Sequence, residues 1–357
     1  MNQKVIVAMS GGVDSSVAAL LLKEQGYACI GVTMKLFENA DVGADKNRPC
    51  CSLDDAEDAR SVAGSLGMPF YIFDFTEDFR QQVIGRFVTS YANGVTPNPC
   101  IDCNRYIKYE RLFERMESMD FDYVATGHYA RISRDENSGR FLLHRAEDKN
   151  KDQSYVLYTL TQHQLAHTLF PNGTLPKSEI RRIAEAHGFV NAAKKDSQDI
   201  CFVRDGDYAA FIEQYTGKQS PAGNFIDAEG SIIGKHDGIL HYTIGQRKGL
   251  GGTWGAPVYV TEIRPETNEV VLGKDENLFK TVLTASDINL ISVTDLRKSM
   301  RVTAKIRYNH MAAPAVARQL GKDRIEVVFD EPQRAITKGQ AVVLYEEDVV
   351  VGGGSIE

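Results

Sequence analysis

The chain has 357 residues, 43% of them apolar and 25% charged, with a net charge of −7. That length accommodates two or three domains, and no stretch approaches the roughly 18 consecutive apolar residues that suggest a membrane span. The opening "MNQKVIVAMSGGVDSS" lacks a basic segment followed by an apolar one, so a cytoplasmic protein without a secretory signal or membrane contact is expected. Six cysteines in so long a chain do not suggest a disulfide framework, which leaves the thiols free for metal or sulfur chemistry. The acidic balance argues against a generic nucleic-acid binder. Between Arg297 and Lys338, however, ten basic residues face four acids, a local balance of +6. That stretch is either a solvated face or a phosphate-contacting one.

The first two hundred residues alternate strand and helix. "KVIVAM" (4–9) is a short apolar run typical of a strand buried on both faces. "VAALLLKEQG" follows as a helix closed by Gly26. "ACIGVTMKLF" (28–37) and "PFYIFDF" (69–75) read as strands, with a helix between them at 52–67 that opens on a capping Ser52. A helix is expected over 77–94 and a fourth strand over 121–130. This alternation predicts an α/β domain with a Rossmann-like parallel sheet over 1–205, and ligands at the carboxyl ends of its strands. The texture then changes. A Gly-rich segment over 206–275 reads as a small central domain. Short alternating runs such as "RVTAKIRY" and "QAVVLY" predict a C-terminal antiparallel β-barrel over 276–357.

"SGGVDSS" (10–16) lies between the first strand and the first helix. Gly11 and Gly12 let the backbone approach an anion, Ser10, Ser15 and Ser16 add hydroxyls, and the helix N-terminus adds free N–H groups. The loop suits a phosphate, yet it is neither a Walker A loop nor G-x-G-x-x-G. It resembles the signature of the PP-loop ATP pyrophosphatases. That resemblance implies cleavage of ATP between its α- and β-phosphates, adenylation of an acceptor oxygen, and Asp14 near Mg²⁺ and phosphate.

The cysteines narrow the chemistry. Cys29 reads as a small buried hydrophobe. Cys50 and Cys51 follow a polar stretch that reads as a loop. Cys100 and Cys103 follow "TPNP", whose prolines are expected to stiffen the segment and keep it out of helix. Arg105 and Lys108 would favour thiolate at Cys103. A structural zinc site needs four ligands, and no second C-x-x-C exists. Cys201 sits among Asp and Ser residues in "KDSQDICFVRDGDY", which points to an exposed loop.

Taken in order, "MSGGVDSSVAALLL", "CCSLDDAEDAR", "TPNPCIDCNRYIK", "ATGHYA", "KDQSYVL", "DSQDICF", "YTIGQRKGLG" and "KIRY" span nearly the whole chain. Together they closely resemble the tRNA-specific 2-thiouridylases. The resemblance implies adenylation of O2 of the wobble uridine in tRNAs for Lys, Glu and Gln, followed by displacement of AMP by sulfur. It implies a persulfide on Cys201, supplied by a donor such as a cysteine desulfurase or sulfur relay protein, and Cys103 as the partner thiol that closes a Cys103–Cys201 disulfide. Ala8, Met9, Ser10, Gly11, Gly12, Val13, Asp14 and Ser15, with Met34 and Gly127, would hold ATP. Asn98, Pro99 and Cys100 would cradle the target base. His128, Lys151, Asp152, Gln153, Arg307, Tyr308 and Gln340 would meet tRNA. Many members carry Asp where this chain has Cys100. Three cysteines, Cys100, Cys103 and Cys201, could instead hold a [4Fe–4S] cluster that delivers sulfide. Other readings are an ammonia-using PP-loop synthetase, a silent RNA-binding module, and another tRNA modifier such as lysidine synthetase.

Overall fold

The computed structural model describes residues 2–38, 51–194, 200–203 and 206–357. Strand β1 (Lys4–Ala8) is apolar and buried beyond its first residue, so it lies inside its sheet. It feeds α1 (Val13–Glu24), β2 (Ala28–Lys35), α2 (Cys51–Ser65) and β3 (Phe70–Asp74). A long helix, α3 (76–92), follows with a π-helical middle at Arg80–Gly85. Next come α4 (99–118), then β4 (Tyr123–Thr126), a hairpin of β5 (Ala130–Arg134) and β6 (Phe141–Arg145), α5 (Gln162–Ala166), β7 (Thr168–Leu169) and α6 (Lys177–Ala186). The first sheet has the order β3-β2-β1-β4-β7, and every neighbour is parallel. One apolar cluster packs on each face, the larger one including Phe79, Phe87 and Tyr109, the other including Val17 and Leu22. The expected parallel α/β domain is present.

Helix α4 departs from expectation. Residues 97–103 read as a proline-stiffened loop, but the helix starts at Pro99 and runs on through Cys103. Proline is welcome at the first helical position, where its missing N–H has no partner to lose and its fixed φ suits the helix. Cys100 and Cys103 therefore sit three apart on one helix face. From Cys103 to Arg111 the winding is π-helical.

Helix α7 (Tyr208–Thr216) leads into the central domain. Its four strands are β8 (Gly223–Ile226), β9 (Ile232–His236), β10 (Tyr259–Arg264) and β11 (Glu269–Gly273), in the order β10-β11-β8-β9. The last region holds β12 (Phe279–Leu290), β13 (Met300–Lys305), β14 (Ala313–Gln319), β15 (Arg324–Arg334), β16 (Ala341–Glu346) and β17 (Val349–Ile356). These run β12-β15-β14-β13-β16-β17, and β17 pairs back with β12. The result is the expected closed antiparallel barrel, which leaves no free edge among its six strands. The β5–β6 hairpin joins it through Val349 and His144, so the first region and the barrel share one sheet. Among the described residues, no helix is long and apolar enough to cross a membrane.

Candidate functional site

The phosphate loop follows β1 at the carboxyl edge of the sheet. Gly11 has φ +74°, and a Cβ there would stand 2.2 Å from the Asp55 carbonyl oxygen, so only glycine fits. The Ser15 hydroxyl accepts from the Ser10 N–H at 3.2 Å and donates to the Gly12 carbonyl at 3.0 Å, which fixes the turn. No side chain caps α1, so its N-terminal N–H groups face whatever the loop holds. Ala8, Met9 and Val13 are buried. Met9 is committed at its backbone as well: its N–H bonds Val32 and its carbonyl accepts from the Thr33 hydroxyl at 2.7 Å. Met34 is half-buried near the end of β2 and packs on the core.

Asp14 is not free at its carboxylate. Lys177 donates to both oxygens at 2.7 and 2.8 Å, and the Tyr129 hydroxyl donates to Oδ1 at 2.5 Å. Asn172 bonds the Asp14 carbonyl, and Asn191 bonds the Gly11 carbonyl and the Ser16 hydroxyl, each at 2.9 Å. Lys194 bridges Asp55 and Asp58 at 2.6 Å each. Lys177, Asn172, Asn191 and Lys194 were not marked in the sequence, since they lie more than a hundred residues from the loop and carry no local motif. A Mg²⁺ ion needs only one or two carboxylates when phosphates complete its shell. Asp14 can supply one if Lys177 shifts from it to the nucleotide.

The segment Gly127, His128 and Tyr129 joins two sites. A Cβ on Gly127 would lie 2.7 Å from the Ser15 nitrogen, so this glycine is what lets β4 press on the start of α1. Tyr129 holds Asp14. Between them His128, 8% exposed, faces the other way. Its Nε2 lies 3.3 Å from Lys108 Nζ and its Nδ1 lies 2.7 Å from the Thr126 hydroxyl. Burial, and then the Lys108 charge, hold the His128 ring well below its ordinary value, so it is neutral.

Cys100, Cys103 and Cys201 each lie close enough to Lys108 for its charge to act on them. All three are free thiols, with Cys100 and Cys201 exposed and Cys103 half-buried. Burial pushes Cys103 up to about 11, and Cys100 and Asp102 add to the rise. Although each residue is exposed as a whole, crowding around the sulfur raises Cys201 to about 12, with Cys103 and Cys100 contributing, and raises Cys100. Lys108 opposes the rise at each. Through the fold, Cys201 comes near enough to Cys103, about a hundred residues away in sequence, to be influenced by its charge. Arg105 was expected to help Cys103, but it pairs instead with Asp287 of β12. The sequence reading of Cys29 is met: it is 5% exposed in β2, and burial lifts its thiol to about 11. Cys50, the Cys51 and Ser52 side chains and most of the acidic flank of Cys201 lie outside the described residues. Among the described residues, no three His, Cys, Asp or Glu side chains form a group able to hold a metal ion.

The expected RNA-contacting residues divide. Asp152 is built into a turn, with its carboxylate accepting from Ser154 N–H and hydroxyl at 3.1 and 3.0 Å. Gln153 clamps Tyr129, accepting from its N–H at 3.0 Å. Lys151 is half-buried beside them. Tyr308 is 37% exposed, donates to the Asp152 carbonyl at 3.3 Å, and stands near enough to Cys100 to feel its charge. Arg307 donates to the Arg334 carbonyl at 3.1 Å. Gln340 ties the barrel to the loop before α4 by donating to the Thr96 and Pro97 carbonyls at 3.1 and 3.2 Å. Pro99 is buried. Asn98 lines a cavity of about 660 Å³ between α3, the start of α4 and the barrel, whose polar wall includes Arg86, Asp102, Arg105 and Asp287. None of the three thiols lines it.

A parallel sheet with a phosphate loop at its first crossover, a small mixed sheet and a closed barrel define a three-domain protein built on a nucleotide-binding α/β unit. Family models match in the same order: "tRNA methyl transferase HUP domain" over residues 3–205, "tRNA methyl transferase PRC-barrel domain" over 209–274, and "Aminomethyltransferase beta-barrel domain" over 280–356. A protein of Clostridioides difficile named tRNA-specific 2-thiouridylase MnmA is 53% identical over 357 residues, covering 100% of this chain and 99% of that one. Its namesake in Clostridium kluyveri is 51% identical over 100% of both chains. The chain belongs to the tRNA-specific 2-thiouridylase family. A 4-thiouridine synthetase solved with RNA and bound ATP is 17% identical, covering 57% of this chain and 46% of that one, at a TM-score of 0.37 that carries no argument.

Proposed function

We propose that the chain is an ATP-dependent tRNA-uridine 2-sulfurtransferase that acts on the wobble uridine of tRNAs for Lys, Glu and Gln. One observation carries the reading. Gly127 and Tyr129 contact the phosphate loop, while His128 between them contacts Lys108, whose charge acts on the three thiols. Adenylation and sulfur transfer then occur at adjacent residues. The family-model descriptions speak of methyl transfer, but a phosphate loop beside converging thiols serves adenylation and sulfur chemistry.

ATP lies on Ser10 to Ser15 with its phosphates at the start of α1; Asp14 would hold Mg²⁺ there once Lys177 turned to the phosphates, and the ion would supply charge neutralisation. Uridine O2, set by Asn98 to Cys100, attacks the α-phosphorus, pyrophosphate leaves, and the N3 proton is lost. AMP has now become the leaving group at C2. Cys201 has meanwhile taken the terminal sulfur of a donor protein's persulfide, releasing the donor thiol. That sulfur adds to C2 and AMP departs, which leaves a Cys201–S–S–C2 linkage. The Cys103 thiolate attacks Cys201 Sγ, and the S–S bond to the base breaks. The electron pair stays on the 2-thiouridine sulfur and N3 is reprotonated. A Cys103–Cys201 disulfide remains, and an external thiol reductant resets it with two electrons.

The test is a single-turnover reaction of the full chain, made without oxygen, with ATP, Mg²⁺, unmodified tRNA for Glu and a persulfide donor. 2-Thiouridine is read by mass spectrometry after digestion. Cys103→Ser and Cys201→Ser are expected to abolish it, and Cys100→Ser to retain it. AMP formation with no 2-thiouridine from any sulfur source would sink the proposal. Loss in Cys100→Ser together with bound iron would favour delivery from a three-cysteine cluster.

A further inference from the structure

We infer that the cavity of about 660 Å³ beside Asn98 is a nucleobase site, in which Arg86, Asp102 and Arg105 read the uracil of the nucleotide directly 3′ of the target uridine. The inference rests on the proposed thiolation of tRNA and adds to it a site that selects the substrate.

The place of the cavity is the first support. Asn98, which opens the segment proposed to set the target base, lines it, whereas the thiols do not. The cavity therefore adjoins the reaction centre without being part of it. An RNA strand whose target base lies at Asn98 to Cys100 carries a neighbouring nucleotide into this space. Its volume lies within the range of roughly 300–1,000 Å³ in which pockets hold small organic ligands, so a nucleotide fits. Single-stranded RNA is read in just such places, with bases splayed out, recognised on their Watson–Crick edges and stacked on guanidinium planes.

The chemistry of the wall is the second. Arg86, Asp102 and Arg105 all line the cavity. Asp102 is half-buried, with Oδ1 3.5 Å from Arg86 Nε. Arg105 follows three residues later on α4 and gives one N–H from each terminal nitrogen to Asp287, which leaves further donors on its guanidinium. Both guanidiniums lie over the Tyr106 ring, at 4.9 and 5.2 Å from its centroid, which holds the two sets of donors near one carboxylate. The wall thus offers donors, an acceptor and donors again. Uracil alone among the standard RNA bases has the complementary edge: acceptor O4, donor N3–H, acceptor O2. Cytosine and adenine would turn a ring-nitrogen lone pair toward the carboxylate, and guanine would set its amino group against an arginine, each an unpaired polar contact.

The third support is what the proposed substrates share. Codons for Lys, Glu and Gln all have A in the middle, so their anticodons all carry U immediately 3′ of the wobble uridine. The next anticodon base differs among the three. One uracil site beside the target accepts all of them and rejects tRNAs with another middle base.

The experiment is equilibrium binding at pH 8, by fluorescence anisotropy, of the full chain to anticodon stem-loops of the tRNA for Glu. They differ only in the base 3′ of the target, U, C, A or G, and a further one carries C on the 5′ side. Wild type is expected to bind the U form about tenfold or more tightly than the C form, as one well-placed set of base contacts provides. In Asp102→Ala the U preference should fall to about twofold or less. Arg86→Met, at an exposed position, tests the same wall if the first variant folds poorly by circular dichroism, and it should lose preference as well. Equal wild-type affinity for U and C forms, no binding of any form, or an undiminished preference in both variants would overturn the inference. So would a preference that follows the base on the 5′ side. Failure of the function reads differently. A wild type that prefers U in binding yet makes no 2-thiouridine loses the activity and keeps the site, whereas equal thiolation of U and C forms loses the site and keeps the activity.

Discussion

Asp102 holds a carboxyl whose charge the fold resists. It lies one residue before Cys103 and faces the interdomain cavity. Burial lifts it from 3.8 to about 6, Asp287 adds to the rise, and Arg86 and Arg105 offset part of it. Below the unfolded value both states carry the proton and the group contributes nothing. Between about 4 and 6 the unfolded chain ionises first, so stability falls as pH rises, and above the folded value the loss is complete. The loss is on the order of 3 kcal/mol at most, the free-energy equivalent of lifting the carboxyl from 3.8 to about 6. Asp102→Asn removes the titrating group. Its thermal midpoint is expected to match wild type near pH 4 and to exceed it progressively up to pH 7. A gap that does not change with pH would contradict this. At this scale the sequence showed the groups that belong to motifs, namely the Ser-Gly-Gly turn and the Cys-x-x-Cys pair. It hid Lys177, Tyr129 and Asn191, because single common residues acquire a role only when packing brings them to the loop from 115 to 180 positions away.

At the scale of elements, the parallel sheet was legible because continuous apolar runs and helix ends announce themselves locally. The error at α4 has a local cause too. Two prolines read as helix breakers, yet Pro99 stands where a helix accepts one. The junction between the barrel and α4 was not legible at all. Gly339, at φ +88°, lets β16 approach so closely that a Cβ would stand 2.2 Å from Val95 Cγ1. Beside it, Gln340 holds the Thr96 and Pro97 carbonyls, and the Thr96 N–H bonds the Lys338 carbonyl at 3.0 Å. The barrel thereby sets the entry angle of the helix that carries two thiols. Gly339→Ala is expected to force the segments apart and speed hydrogen exchange at residues 95–98 by tenfold or more, since about 1.4 kcal/mol of lost protection is a factor of ten. Exchange in β1 should stay as in wild type. Unchanged protection at 95–98 would show that the barrel does not brace the loop.

Over the whole molecule, the basic stretch from Arg297 to Lys338 looks different once folded. Arg301 pairs with Asp330, Arg318 with Glu326, Arg324 with Glu357 and Arg334 with Asp275. Two of these acids, Asp275 and Glu357, lie outside the stretch, so a local count of sequence charge overstated the field. Arg297 has Asp295 within 3.8 Å, and Lys305 lies 5.6 Å over the rings of Tyr155 and Tyr308. Among the described residues, Lys298, Lys322 and Lys338 have no carboxylate partner. A tRNA that met only such unpaired cations on the barrel would release few counterions. With about three phosphate contacts, the logarithm of the binding constant should fall with the logarithm of salt at a slope near −2 to −3. The measurement is tRNA binding by the full chain from low to physiological salt. A slope near −7 or steeper would mean that the arginine pairs open and turn to phosphate on binding. The closed barrel would then be an electrostatic surface whose charge is held in reserve by its own carboxylates, and the charge count of the sequence would describe the bound state better than the free one.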